Sequence, residues 1–264
     1  MLGLRVISAL VGIPVLIGII YVGDVFLAGS LLLLIILGTL EFQEFIKKSN
    51  GKVMFLPVLL GQIVLTLGAF AQWAHWFSIG ILIMLLLTFI QGLAKFPQYN
   101  LLDFSTNLFM LIYVGWTLNH LILLRNLDQG FWLVLFLFLI IWSSDTGAYF
   151  SGRFFGKNKL APQVSPNKTI EGSIGGLFLS VIIGIIYNYY LNLFSLPIVL
   201  FLALLLSVIG QMGDLIESAL KRLVGVKDSG NLIPGHGGIL DRFDSTITTA
   251  PVFFYLLILL SKVG

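Results

Sequence analysis

Long apolar runs recur along this chain, and they constrain its fold more than any other feature. Hydrophobic residues make up 58% of the sequence, only 10% of the residues are charged, and the mean hydropathy is +1.03. Apolar runs of about 18 residues or more can cross the hydrocarbon core of a bilayer as helices. A helix satisfies its own backbone polar groups there, which an irregular chain cannot do. The sequence therefore predicts an all-α, polytopic integral membrane protein.

The apolar runs predict about nine transmembrane helices. The first run holds Pro14, which a membrane helix tolerates. No small-x-small cleavage site follows this run at Gly23, so we expect a retained helix and not a signal peptide. The predicted helices cover residues 4–22, 25–46, 55–71, 77–93, 101–123, 131–150, 174–193, 197–215 and 248–262.

The positions of the basic residues predict how these helices are oriented. With a cytoplasmic amino terminus, only Arg125 and Lys262 of the 15 Lys and Arg residues fall outside. Basic residues favour the cytoplasmic side of a membrane protein, and one missed or extra helix would scramble this asymmetry. The sequence thus predicts a carboxyl terminus on the outside and two large cytoplasmic loops, at residues 156–173 and 217–247.

Residues that bind soft metals are scarce. The chain has no cysteine, which excludes disulfides and Cys-ligated zinc, and His75, His120 and His236 are scattered along the sequence. A pI near 9.1 would suggest nucleic acid in a soluble protein, but here the basic residues report topology, so no nucleic-acid partner is expected. The composition still allows a site in which oxygen ligands hold a hard cation.

Asp145 lies in the stretch WSSDTGAYFSGRFFGK, about two thirds of the way along the sixth predicted helix. An uncompensated carboxylate in a bilayer is destabilising by on the order of 3 kcal/mol, so we expect it to have a cationic partner. An ion pair with Arg153 or a lysine would meet that need, as would a metal ion. The glycines that follow do not have the spacing of a Walker loop, and Asn158 stands where such a loop needs Ser or Thr.

A second polar segment, SPNKTIEGSIGG, begins at Ser165 and places Lys168, Thr169 and Glu171 just before the seventh predicted helix. Free amide groups and the positive end of the dipole favour anions at a helix start. Lys168 and Thr169 are therefore candidates for phosphate contacts. Positive-inside flanking alone would also explain Lys168.

The densest charged stretch begins where the eighth predicted helix leaves the membrane. Asp214, Glu217 and Lys221 recur at i, i+3 and i+7 and so share one helix face. Ser218 and Arg222 lie one turn apart beside them. A solvated face would explain such a pattern, but not an aspartate directly behind the apolar LLLSVIGQMG.

A second acidic pair stands at the start of the ninth helix. Asp241 and Asp244 are one turn apart with Arg242 between them, and the glycine-rich GNLIPGHGG joins them to the eighth helix. Two such acidic helix ends could close around a divalent ion, because Mg²⁺ prefers carboxylate oxygens. Acids that hold a cation beside bases that hold phosphates suit a metal-bound polyphosphate. Glu41 and Glu44 could face such a site, or snorkel to the membrane interface.

The carboxyl-terminal half resembles the phosphatidate cytidylyltransferase (CDP-diacylglycerol synthase) family. The resemblance rests on a 27-residue signature and extends to the WSSDTGAYFSGRFFGK and SPNKTIEG segments. The first 130 residues are similar only in being apolar and multi-spanning. The signature residues present here are Ser218, Leu220, Lys221, Arg222, Lys227, Asp228, Gly230, Ile233, Pro234, His236, Gly237, Gly238, Ile239, Asp241, Arg242 and Asp244.

The resemblance implies that CTP and phosphatidate react to give CDP-diacylglycerol and pyrophosphate, with Mg²⁺ required and K⁺ as a possible second ion. A phosphate oxygen of the lipid would attack the α-phosphorus of CTP in line, so no covalent enzyme intermediate is needed. We expect a homodimer in the cell inner membrane with its active site on the cytoplasmic side. Residues 1–130 would serve packing, dimerisation or lipid access, and residues 131–264 would form the catalytic region.

Roles for individual residues follow from the spacing and the resemblance together. The expected metal ligands are Asp214 and Asp241 first, then Asp145, Glu217 and Asp244, which could instead pair with lysines. The residues expected in catalysis with them are Lys221, Arg222, Arg242 and His236, and those expected to bind substrate are Ser165, Lys168, Thr169, Glu171, Ser218, Lys227, Asp228, Gly237 and Gly238. His236 would donate to the departing pyrophosphate or only shape its turn.

Two other functions stay open. A CTP-dependent kinase of a polyprenol-type lipid alcohol would bind the same groups, but it would transfer the γ-phosphate and release CDP. An ion-coupled transporter predicts inverted repeats and charges at the membrane midplane, and the sequence shows neither. The fate of the α- and γ-phosphates therefore separates the two enzymes.

Overall fold

The computed structural model describes residues 2–49, 51–226, 229–230 and 237–261, with side chains from residue 10 onward. Most of this part of the chain is helical, which confirms the predicted all-α class. A π-helical segment, Leu111–Trp116, joins two of the helices into one continuous helix. The helices are α1 (Leu2–Val22), α2 (Asp24–Lys48), α3 (Phe55–Phe70), α4 (Trp76–Ala94), α5 (Leu101–Met110), α6 (Thr117–Arg125), α7 (Gly130–Phe155), α8 (Ile170–Leu191), α9 (Leu196–Leu223) and α10 (Leu240–Ser261).

Seven helices in the described ranges are long and apolar enough to cross a membrane, which makes this a multi-pass protein. They are Asp24–Lys48, Trp76–Ala94, Leu101–Arg125, Gly130–Phe155, Ile170–Leu191, Leu196–Leu223 and Leu240–Ser261. Two shorter apolar helices, Leu10–Val22 and Phe55–Phe70, coincide with the other two predicted spans. The count of nine spans and the side of each terminus stay predictions.

Three helices extend by five residues or more beyond the apolar runs that predicted them. α7 continues past residue 150 to Phe155, α9 continues past residue 215 to Leu223, and α10 begins at Leu240 instead of residue 248. Hydropathy detects the apolar part of a helix, so polar turns at its ends escape it. These polar turns carry several charged residues of the candidate site, among them Glu217, Lys221 and Asp241.

A β-hairpin that was not predicted connects α7 to α8. Its strands are β1 (Lys159–Ala161) and β2 (Ser165–Thr169), which pair antiparallel with Lys159 opposite Thr169. β2 leads directly into α8, where Thr169 is the N-cap residue: its Oγ1 accepts a hydrogen bond of 3.1 Å from the Gly172 amide. This cap satisfies one of the free amide groups at the start of α8.

The first of two compact units consists of Met1–Phe131 and Val224–Arg242. Leu65, Met84 and Leu111 form a fully buried apolar cluster there, which joins α3, α4 and the π-helical segment. The unit therefore contains the first six helices together with the segment that leads into α10.

The second unit consists of Trp132–Leu223 and Phe243–Gly264. The rings of Phe136 and Phe253 lie 5.8 Å apart and link α7 to α10. Gly184 of α8 lies so close to α9 that an added Cβ would be 3.2 Å from the Ala203 side chain. The functional division at residue 130 stays a prediction, although the boundary between the units falls nearby.

Candidate active site

A cavity of about 510 Å³ lies within the second unit. Its walls come from α7, the hairpin, the start of α8 and the middle of α9. The polar and charged side chains that line it include Asp145, Arg153, Lys168, Thr169, Gln211 and Asp214. A concave site of this volume with a few converging polar groups is typical of small-molecule binding.

Lys168 and Asp214 meet across this cavity. Lys168 Nζ lies 2.5 Å from Asp214 Oδ2, and about a quarter and a third of the two side chains are exposed. Ser218, one turn further along α9, donates a hydrogen bond of 3.4 Å to the other carboxylate oxygen of Asp214. Two residues predicted from separate segments are thus brought together, with Asp214 held by a cation and a hydroxyl.

More carboxylates surround this pair. Glu217 is 1% exposed, and its Oε2 forms a salt bridge of 2.8 Å with Nζ of Lys221 on the same helix face. Asp244 of α10 interacts electrostatically with Asp214, Glu217 and Asp145. Negatively charged carboxylates repel each other, so a nearby cation would stabilise this group. Within the described ranges, however, no three Asp, Glu or His side chains stand together as ready metal ligands.

Asp241 lies in the first unit, at the start of α10. Its Oδ2 accepts hydrogen bonds from the Ser229 amide at 2.9 Å, the Ser229 hydroxyl at 2.8 Å and the Gly238 amide at 2.8 Å. Gly237 has a φ of +82°, a conformation that favours glycine. Arg242 is exposed. The predicted first-choice ligand Asp241 therefore also holds the chain on both sides of residues 231–236.

Three other predicted site residues, Ser165, Glu171 and Arg222, lie at or beside the hairpin. Ser165 begins β2, and Arg222 Nε donates to the neighbouring Val164 carbonyl at 3.2 Å. Glu171 accepts hydrogen bonds from the amides of Lys157 and Asn158, at 3.1 and 3.2 Å. It thus orders the chain between α7 and the hairpin. Lys227, Asp228 and His236 are outside the described residues.

A polar network at the cavity was not predicted from the sequence. Gln211 accepts a hydrogen bond from the Ser173 hydroxyl and donates to Ser144 Oγ at 3.3 Å. Ser144 Oγ is in turn 2.7 Å from Ser207 Oγ. A signal was present, because Ser207, Gln211 and Asp214 recur at helical spacing within an apolar run.

The sequence left two possible locations for Glu41, at a site or at the membrane interface. It is only 5% exposed, so the interfacial interpretation is wrong for it. Glu44, one turn further along α2, has a side chain 61% exposed and pairs with Lys47 at 2.6 Å, as an interfacial residue does. The Glu41 carboxylate contacts the start of α10, which lies about 200 residues away in the sequence.

Comparison with known proteins identifies the family. A model of the cytidylyltransferase family matches residues 3–260. The chain belongs to this family. A phosphatidate cytidylyltransferase of Bacillus subtilis (strain 168) is 38% identical over 242 residues, which cover 87% of this chain and 89% of that protein.

Two staphylococcal relatives carry the same name. That of Staphylococcus aureus (strain COL) is 37% identical over 243 residues, which cover 89% of this chain and 93% of the relative. A Staphylococcus epidermidis relative (strain ATCC 12228 / FDA PCI 1200) is 35% identical with the same coverage. The predicted family is thereby confirmed, and the cytidylyltransferase match extends into the amino-terminal half, where the signature gave no information.

Proposed function

We propose that this chain is a phosphatidate cytidylyltransferase, which transfers CMP from CTP to phosphatidate and releases pyrophosphate. Membership of the cytidylyltransferase family and the names of the relatives support this class of reaction. The observation that carries the proposal is one cavity lined by Asp145 of α7, Lys168 of the hairpin and Asp214 of α9. Carboxylates beside a cationic side chain suit a polyphosphate that carries a metal ion.

The reaction requires little covalent chemistry from the protein. A phosphate oxygen of phosphatidate forms a bond to the α-phosphorus of CTP. The bond between that phosphorus and the oxygen that bridges the α- and β-phosphates breaks. Pyrophosphate leaves with the electron pair. Because the lipid phosphate is already ionised, no strong general base is needed. The site then has to neutralise charge and hold the two reactants in line.

Mg²⁺ fits the chemistry of the carboxylates and would neutralise charge on the triphosphate. Asp214 and Asp241 are the proposed first ligands, with Asp145, Glu217 and Asp244 as further ligands or lysine partners. The mutual repulsion of Asp244 with Asp145, Asp214 and Glu217 supports a cation here. K⁺ as a second ion is also part of the proposal.

The basic side chains would hold the phosphates of CTP and of the lipid. Lys168 reaches the cavity from β2, and the adjacent α8 start directs amide groups toward anions. The full set proposed for phosphate contacts is Ser165, Lys168, Thr169, Lys221, Arg222 and Arg242. Because CTP is cytosolic, we propose an active site on the cytoplasmic side of the cell inner membrane. We also propose, from the family resemblance, that the protein forms a homodimer.

Labelled CTP tests the proposed reaction. Purified protein in detergent receives phosphatidate, Mg²⁺ and CTP labelled separately at the α- and γ-phosphates. We expect the α-label in the lipid and the γ-label in pyrophosphate. Asp214→Asn should abolish the transfer in folded protein, whereas Asp128→Asn, at an exposed position before α7, should leave it unchanged.

Other label distributions contradict the proposal in distinct ways. A γ-label that enters an added polyprenol would establish the lipid kinase instead. A folded protein that moves neither label would exclude both enzymes and make ion-coupled transport the next assay. Equal activity of Asp214→Asn and the wild type would remove Asp214 from the metal site.

A further inference from the structure

Glu41 is a buried carboxylate of α2 whose hydrogen bonds all reach a distant segment. Its Oε1 accepts from the Ile239 amide at 2.8 Å, and its Oε2 accepts from the Leu240 amide at 3.0 Å. The Ser229 hydroxyl lies 3.3 Å from Oε2. All of these residues belong to the first unit. One carboxylate therefore holds the start of α10 and the chain at residue 229 together.

The backbone closes tightly around this carboxylate. A Cβ added at Gly230 would lie 2.7 Å from Glu41 Oε1, and one added at Gly238 would lie 2.6 Å from Oε2. Real Cβ atoms essentially never approach another heavy atom closer than 3.0 Å, so the carboxylate would have to move to admit one. A side chain at Gly230 would have to displace the Glu41 carboxylate, and one at Gly238 would meet the Ser229 hydroxyl as well, so a larger residue at either signature glycine would disturb the contacts of Glu41.

Glu41 is linked to Asp241 through the same groups. The Ser229 hydroxyl lies 2.8 Å from Asp241 Oδ2 as well as 3.3 Å from Glu41 Oε2, and its single hydrogen is shared between them. Gly238 donates to Asp241, and the next two amides donate to Glu41. The two carboxylates thus accept hydrogen bonds from neighbouring amides at the start of α10, and a shift of one carboxylate would disturb the contacts of the other.

We propose that Glu41 is a positioning residue for the reaction: from α2 it fixes the first turn of α10, and thereby the direction in which Asp241 presents its carboxylate. The first amides of a helix have no partner within the helix, and an anion there is stabilised by the helix dipole. Burial strengthens these hydrogen bonds. The inference rests on the proposed cytidylyltransferase reaction.

Glu41→Gln tests this role, with Glu44→Gln as the matched control on the same helix. The glutamine keeps the size of the side chain but turns one acceptor oxygen into a donor that faces an N–H group. We expect kcat to fall roughly 10- to 100-fold, the usual effect of removing a group that orients a metal ligand, with a smaller change in KM for CTP. Glu44→Gln should stay within about twofold of wild type, and Glu41→Asp, which keeps the charge, should recover part of kcat.

Hydrogen exchange supplies a readout that does not depend on turnover. We expect the amides of residues 239 and 240 to exchange faster in Glu41→Gln than in wild type or Glu44→Gln, while the thermal unfolding midpoint changes little. Wild-type kcat and wild-type exchange in folded Glu41→Gln would overturn the positioning role. A kcat loss fully explained by the unfolded fraction would overturn it too. Wild-type protein that releases no pyrophosphate would instead overturn the proposed function on which the inference rests.

Discussion

Lys168 and Asp214 form a close contact between opposite charges in the candidate site. Their atoms Nζ and Oδ2 are 2.5 Å apart, and both side chains line the cavity. In the proposed reaction Lys168 has two alternative anionic partners, the Asp214 carboxylate and a phosphate group. Because the Lys168 side chain lines the cavity while its Nζ is buried against Asp214, a phosphate bound in the cavity would compete with that carboxylate for Lys168. We therefore expect its charge to matter for CTP use beyond any effect on folding.

Lys168→Gln should lower kcat/KM for CTP by roughly 10- to 100-fold, because a hydrogen bond to a charged group contributes about 1.5–3 kcal/mol. Steady-state kinetics with labelled CTP measures the effect. Lys159→Gln is the control: Lys159 lies opposite Thr169 on the same hairpin, is exposed, and does not line the cavity. A loss of similar size in both variants would indicate general electrostatic attraction and not a specific contact.

At the scale of elements, glycines set how α7 and α8 pack. A Cβ at Gly147 of α7 would lie 2.5 Å from the Gly175 carbonyl oxygen of α8 and 2.9 Å from the Leu179 side chain. Since backbone cannot move aside like a flexible side chain, the two helices must separate to accept a larger residue. Both helices contribute walls to the cavity.

We expect Gly147→Ala to destabilise the protein by about 1–3 kcal/mol, the usual range for overpacking, and to lower activity by distorting the cavity. Denaturation in detergent and the cytidylyl-transfer assay measure the two effects. Gly29→Ala provides the control, because nothing lies within 4 Å of its added Cβ and alanine favours a helix interior. Equal stability of the two alanine variants would contradict the close packing of α7 on α8.

Sequence predicted helices well and predicted the residues between them less well. The apolar runs located each long helix, since burial in a bilayer leaves few other folds. They placed the start of α10 eight residues late, at residue 248 instead of Leu240, because the first turns of that helix are polar. The hairpin has strands of three and five residues, too short for an alternating pattern to be recognised.

The candidate site shows the same division between local and long-range information. The shared face of Glu217 and Lys221 follows from helical spacing within one segment, and the structure has it as a 2.8 Å pair. The contact of Lys168 with Asp214 depends on how the hairpin packs against α9, which no spacing encodes. The contacts of Glu41 were even less predictable from the sequence. Its partners are the backbone amides of Ile239 and Leu240, and every residue except proline has such an amide.

At the scale of the whole molecule, the count of membrane spans decides on which side the cavity opens. Seven helices in the described part of the chain are long enough for a span, whereas α3 has 16 residues and is about 24 Å long, against a hydrocarbon core of about 30 Å. If α3 did not cross, every later loop would change side relative to the amino terminus. The predicted orientation places the hairpin in the cytoplasm, where CTP is available.

Four glutamines test this orientation, because each is exposed in a different connection and the chain has no native cysteine. With a membrane-impermeant maleimide, Gln72→Cys and Gln129→Cys should react in intact cells, while Gln98→Cys and Gln163→Cys should react only after permeabilisation. Gln72 lies between α3 and α4, so a thiol there that is shielded in intact cells would show that α3 does not cross. Gln163 is in the hairpin turn. Its labelling in intact cells would place the hairpin outside, away from cytosolic CTP, and would contradict a cytoplasmic active site.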